Sequence, residues 1–270
     1  LPMGSQAKAA DPDEFLAWCA RVGLPEYIVE FKMDGASLEL QYEAGRLARA
    51  VTRGDGITGD DITQNARKMQ GVPPALAGNW SGAVRGEVLM SRAVLKESHP
   101  DKANCRNAAN GLMKRKDGAG VEDLEVVCYD ALGTVPGIGR PFSDEAAKLD
   151  WLKGMGFHTV EQRIFASPQE VVDYRAQVMD LREGLPFDID GLVVKGRAID
   201  EADLAKARPE KQIAFKFSLE EAISVLREVE WSESGANYTP IGVIDPVRLA
   251  GTTVQRANLV NTNAISSMGL

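Results

Sequence analysis

Lysines that interrupt apolar strand runs are the residues here with a setting fit for covalent chemistry. In VEFKMDGASLEL, residues 29–40, a Lys-Met-Asp-Gly core stands between apolar runs and carries Lys32, Asp34 and Gly35. Alone, Lys32 reads first as a solvated strand-end lysine and only second as a nucleophile held in a pocket. A lysine at its ordinary pKa of about 10.4 is protonated and not nucleophilic. Nearby cations and desolvation lower that value and activate the amine. The same interruption recurs along the chain: Arg53 with Asp55, Arg85 with Glu87, Asp188 with Asp190, Lys195 in FDIDGLVVKG, and Lys216 between the phenylalanines of AFKF. Each one singly is either snorkelling to water or paired. Together they suggest one pocket for a phosphorylated ligand, with Lys195 and Lys216 as the cations that activate Lys32 or stabilise charge on a phosphate.

The elements that must hold these residues follow from periodicity. EYIVEFK reads as a strand. ASLELQYEAGRLARAVTRG reads as a hairpin closed at Glu-Ala-Gly. DPDEFLAWCARVG reads as a helix with an acidic first turn, with Phe15, Leu16 and Cys19 on one face and Gly23 as its stop. A further helix is expected over GDDITQNARKM, with Asp60 or Asp61 near its N-cap. Helical patterns recur at SRAVLKES, RNAANGLMKRK, SDEAAKLDWLKGMG and SPQEVVDYRAQVMDLREG. Strand patterns recur at SGAVRGEVLM, LEVVCYDAL, FDIDGLVVKG and KQIAFKFS. Hairpins mixed with helices point to an α+β fold of antiparallel sheets flanked by helices, over residues 1–218. Residues 219–270 turn to strands and turns with almost no helical period. They read as the start of a small all-β module with two or three strands, where a full small barrel has five.

Composition excludes several classes. The 270 residues are 44% hydrophobic and 26% charged, with a net charge of −8, which argues against a nucleic-acid coat or a polybasic membrane binder. A local basic groove remains open, and its best candidate is Arg106 with Lys114, Arg115 and Lys116. No apolar run approaches the roughly 18 residues of a membrane span, and the N-terminus does not read as a signal peptide. The three cysteines, Cys19, Cys105 and Cys128, form no Cys-x-x-Cys pair, so a reducing cytoplasm is expected and a zinc site or disulfide framework is not. His99 and His158 are the only histidines, too few for a His-rich metal site, and His158 reads as an ordinary strand residue.

Six blocks occur in order: EFKMDG, TRGDGITGDDITQNAR, VRGEVLM, RNAANG, FDIDGLVVK and IAFKF. In these blocks the chain resembles the adenylation core of bacterial NAD-dependent DNA ligases. Lys-x-Asp-Gly alone is a weak signal, whereas TRGDGITGDD is long and specific to the NAD-dependent branch. The resemblance implies a nucleotidyltransferase fold over residues 1–218 and an incomplete OB-fold segment over 219–270. It implies Lys32 as the lysine that becomes AMP-lysine and Glu30 as the reader of adenine. Asp34 supports Lys32, and Gly35 permits close backbone approach. Arg53 contacts the nucleotide, Glu87 the ribose, and Arg106 the region of phosphate and nick. Lys195 and Lys216 contact the nucleotide. Asp190 is an acid with a metal-linked or lysine-pairing role, and Arg182 is a further essential arginine. The implied cofactors are NAD, through its AMP moiety, and Mg²⁺ without a dedicated protein cluster. The implied partner is nicked double-stranded DNA, sealed by a cytoplasmic monomer away from membranes.

Some features depart from the resemblance. The N-terminal domain that grips the nicotinamide mononucleotide half of NAD is not in this sequence, and neither are the remaining ligase domains, so a fragment of a longer ligase is expected, one that reacts slowly with NAD by itself. Where a second arginine is expected after Arg106, Lys114 stands beside Arg115, and a lysine cannot form the bidentate fork. Two other readings stay open: an ATP-dependent ligase or capping-type nucleotidyltransferase, and a non-catalytic nucleotide-binding module.

Overall fold

Alternation in the strands decides the architecture, because each sheet has one apolar face to bury. A computed structural model describes residues 6–204, 206, 208–217, 222–234, 237–249 and 252–261. The chain divides into two units, Leu1–Ser218 and Leu219–Leu270. The first opens with β1 (Ala7–Ala9), α1 (Pro12–Val22), β2 (Tyr27–Met33), β3 (Ala36–Glu43), β4 (Arg46–Thr52), α2 (Thr63–Ala66), β5 (Ser81–Leu89), α3 (Arg92–Ser98) and α4 (Cys105–Met113). It continues through β6 (Glu125–Thr134), α5 (Glu145–Gly154), β7 (His158–Thr159), β8 (Gln162–Phe165), α6 (Pro168–Leu181), β9 (Ile189–Gly196), α7 (Glu201–Leu204) and β10 (Gln212–Lys216).

Two five-stranded sheets result, ordered β1-β10-β9-β2-β8 and β4-β3-β5-β6-β7. Their pairing is antiparallel except at two short edges, where β1 meets β10 and β7 meets β6 in parallel. In the second sheet, β3 turns Leu38, Leu40 and Tyr42 into a core shared with Val84 and Val88 of β5, Ala108 and Leu112 of α4, and Leu149 and Leu152 of α5. In the first sheet, Val29, Leu192, Val194, Ile213 and Phe215 pack against Phe15 and Trp18 of α1 and Val171, Tyr174 and Val178 of α6. Cys19 lies in this core, and Cys105 and Cys128 in the other. The β3–β4 hairpin closes where expected, with Ala44 and Gly45 both at positive φ, the two-residue geometry that matches strand twist.

Helix ends follow their caps. The Asp11 side chain accepts from Glu14 N at the start of α1, and Gly23 in the left-handed region ends it. Ser167 and Glu170 form a reciprocal capping box on α6.

Three local expectations are corrected. In α1 it is Trp18, not Leu16, that joins Phe15 and Cys19 in the core. The helix expected over GDDITQNARKM shrinks to the four residues of α2, and Asp61 bonds the Thr63 backbone and hydroxyl instead of capping a long helix. Tertiary anchoring overrides the local pattern there: Thr52 N and Ile62 N tie the preceding loop to the hairpin through Asp60 O and Ala50 O. The helix expected through Lys116 ends at Met113, where Asn65 Nδ2 donates to the carbonyls of Met113 and Arg115.

In the second unit, β11 (Leu226–Ser234), β12 (Asn237–Leu249) and β13 (Thr252–Asn258) form an antiparallel sheet in that order. Arg227 pairs with Asp245 at 2.7 Å across its first two strands. Among the described residues Leu259 is its buried hydrophobic side chain, while Trp231 and Tyr238 stand exposed.

Candidate active site

Sheet register gathers the charged residues. Glu30 pairs with Val193, Ile28 with Lys195, and Lys32 with Gly191 between β2 and β9. On the far side of β9, Gln212 pairs with Lys195 and Lys216 with Gly191. Since side chains alternate along a strand, Glu30, Lys32, Lys195, Gln212 and Lys216 share the face opposite the apolar core. The second sheet answers with Ser37, Glu39, Arg85 and Glu87, which alternate with its core residues on β3 and β5. Between these faces lies a cavity of about 640 Å³, the size of an ordinary small-ligand site.

At one end of the cavity a single carboxylate holds two lysines. Lys32 Nζ lies 2.8 Å from Asp190 Oδ1, and Lys216 Nζ lies 3.1 Å from Asp190 Oδ2. Arg106, in the first turn of α4, reaches Asp34 Oδ1 at 2.7 Å. Asp34 is itself fixed by its backbone N–H, which donates to Asp188 O at 2.9 Å. Gly35 is required by space: a Cβ there would stand 2.3 Å from Val88 O. The Ser37 hydroxyl donates to Glu87 at 3.0 Å. Burial pushes the Glu87 carboxyl up to about 7, against that hydroxyl and the Lys32 and Arg106 cations. Lys216 is steadied from behind, because buried Arg175 of α6 donates to its carbonyl through Nε at 2.8 Å and Nη2 at 2.6 Å.

The other end is a buried ionic cluster. Lys195 Nζ lies 2.9 Å from Glu30 Oε1 and 2.9 Å from Glu145 Oε2. Lys148 Nζ lies 2.8 Å from Glu145 Oε1 and 2.5 Å from Asp130 Oδ1. Gln162 Nε2 donates to Glu30 at 3.3 Å. Desolvation opposes the charge on Lys195, but Glu30, Glu145 and Asp130 outweigh it and hold the ammonium above its usual range. Burial pushes Glu30 upward, towards the neutral form, more than Lys195 holds it down. Tyr129 places an aromatic ring on the cavity wall, and burial raises its phenol.

Of the residues singled out in the sequence, Glu30, Lys32, Asp34, Gly35, Arg53, Glu87, Arg106, Asp190, Lys195 and Lys216 all line this one cavity. Arg182 does not; it lies over the ring of Phe217 at 5.7 Å, behind the strand that carries Lys216. In the basic cluster Lys114 pairs with Asp60 and Arg115 with Asp117. Among the described residues no group of three or more His, Cys, Asp or Glu side chains is arranged to hold a metal ion, and no helix is long and apolar enough to cross a membrane. The donor set suits a nucleotide: cations at one end for phosphate, and buried acceptors and donors at the other for a ring edge.

Comparison with known proteins assigns the chain to a family. Residues 1–220 match the family model described as NAD-dependent DNA ligase adenylation domain. The chain belongs to that family. A DNA ligase of Treponema denticola is 56% identical over 285 residues, covering 100% of this chain and 44% of its own length. One of Treponema pallidum is 51% identical over 282 residues, with 100% and 34% covered. The chain thus spans less than half the length of these curated relatives. A solved Lig E DNA ligase superposes with a TM-score of 0.56 at 14% identity, over 97% of this chain and 85% of its own. That likeness bears on the fold alone, which is the nucleotidyltransferase fold.

In this NAD-dependent ligase-family chain, the cavity residues that escape sequence reasoning include Tyr129, Asp130, Glu145 and Lys148. Asp130 interrupts the apolar strand VVCYDAL and was open to the same argument as Lys195. Glu145 and Lys148 give no such signal, since a Glu and a Lys three apart on a helix look like a solvated surface pair.

Proposed function

We propose that this chain is the nucleotidyl-transfer core of an NAD-dependent DNA ligase. The observation that supports this most is Lys32 Nζ, facing the cavity 2.8 Å from Asp190 with Lys216 on the same carboxylate. NAD is the substrate that supplies AMP. Lys32 Nζ attacks the α-phosphorus, the bond from that phosphorus to the bridging oxygen breaks, and nicotinamide mononucleotide leaves with the electron pair. Asp190 is the nearest acceptor for the proton that Nζ sheds, and Lys216 and Arg106 offset charge on the phosphate oxygens. AMP then passes from Lys32 to the 5′-phosphate of a DNA nick. The 3′-hydroxyl attacks that phosphate, and AMP departs.

Glu30 and Lys195 take the edge of the adenine, Tyr129 offers a ring for it to stack on, Glu87 bonds the ribose, and Arg53 reaches the nucleotide from the rim. Mg²⁺ would be held mainly by the nucleotide phosphates, with few protein ligands, and would supply charge neutralisation there. This reading implies a cytoplasmic monomer acting on nicked double-stranded DNA, with residues 1–218 as the adenylation domain and 219–270 as part of an OB-type module.

Intact mass spectrometry after prolonged incubation with NAD, long enough for the slow reaction expected of this piece by itself, tests it. One added AMP is expected, mapping to Lys32 and absent from K32A. An adduct that persists in K32A would sink the nucleophile assignment. Tight AMP binding with no adduct would favour a non-catalytic nucleotide-binding module, and faster labelling from ATP than from NAD would favour an ATP-dependent enzyme.

A further inference from the structure

Glu145 and Lys148 sit where ions are costly. They are 5% and 2% exposed, in the first turn of α5, and both line the cavity. Burying a charge is unfavourable unless it is closely paired and hydrogen-bonded. Here Lys148 bonds both oxygens of Glu145, at 2.8 Å and 3.0 Å, and is anchored to Asp130 on the neighbouring strand β6. Glu145 is therefore held in place, and it grips Lys195 at 2.9 Å, the same distance as Glu30.

We propose that Glu145 is a positioning residue for base selection, acting through Lys195, with Lys148 as its counter-ion. The inference rests on the cavity being a nucleotide site, as proposed above. An ammonium has three N–H donors. Glu30 and Glu145 take two, which leaves one for a ligand in the cavity. Beside it stands the Glu30 carboxyl, which can accept. A 6-aminopurine fits these fixed positions, with its exocyclic amine towards Glu30 and its unprotonated ring nitrogen towards Lys195. A 6-oxopurine presents an oxygen and a ring N–H in the reverse order. A Lys195 held by Glu30 alone could swing to meet that oxygen, whereas one that Glu145 also holds is restrained from doing so. Selection then comes from rigidity as well as from complementarity.

Isothermal titration of the 270-residue chain with AMP and with IMP tests this, alongside thermal unfolding of each variant. The wild type is expected to prefer AMP, and E145Q to lower the AMP:IMP affinity ratio by about tenfold or more. In a K195M background, E145Q is expected to leave the ratio unchanged, because the group it positions is gone. A purely structural role for Glu145 would weaken both nucleotides equally. The proposal is overturned if E145Q keeps the wild-type ratio, or if it shifts the ratio as much in the K195M background. Should E145Q fail to fold, E145D replaces it: its carboxylate is too short to reach Lys195 and Lys148 together, so the ratio should fall in the same direction, and an unchanged ratio would overturn the proposal. A wild-type chain that binds neither nucleotide would defeat the nucleotide-site reading and this inference with it. A wild type that discriminates beside variants that discriminate equally would defeat this inference alone.

Discussion

Glu87 is a carboxylate whose ordinary value of 4.5 is pushed to about 7 at the floor of the cavity. The folded state thus binds its proton more tightly than the unfolded chain does. The stability this contributes is complete below the unfolded value and is lost as pH rises through 7. E87Q, which cannot ionise, should therefore gain on the wild type between pH 5 and pH 8, by up to about 3 kcal/mol in urea unfolding. A difference that stays constant with pH would reject the assignment. Asp190 shows the opposite use of a carboxylate. Two ammonium groups share it, so a phosphate bound as proposed would compete with Asp190 for both lysines at once.

Strand register is the part of the site most legible in the sequence. Charged residues in apolar runs stand out, and period-two alternation puts Glu30 with Lys32 and Arg85 with Glu87 on common faces. The hairpin turn and the α6 capping box are written in local chemistry. What stays hidden depends on neighbours distant in sequence. The three residues of β1 are too few to show a period, α2 is cut short by its ties to the hairpin, and Glu145 with Lys148 imitates a surface pair. Arg175 is hidden for the same reason, as one arginine among the polar residues of a helix. Yet it carries strand position from α6 to the site, because its guanidinium bonds the carbonyls of Lys216 and Ala10 and stacks on Phe215. R175M removes these charge-assisted bonds and leaves the carbonyls unsatisfied. It is expected to cost about 2 kcal/mol, read as a lower denaturant midpoint. An unchanged midpoint would mean that the strand end is held by other means.

Leu1–Ser218 has two large cores, while the described part of Leu219–Leu270 buries little apolar surface. Stability should be divided accordingly. Hydrogen exchange across a denaturant series is expected to show β11–β13 opening at lower free energy than β2 and β9, and a single shared transition would contradict this. The cysteines offer a finer view of the larger unit. Cys19 is sealed in one core and Cys105 with Cys128 in the other, and burial raises all three thiols, that of Cys105 to about 11. None can react with a thiol reagent until the layer around it parts. The chain thus carries its own pair of clocks: the order in which Cys19 and Cys128 become labelled tells which half of the cavity wall comes apart first.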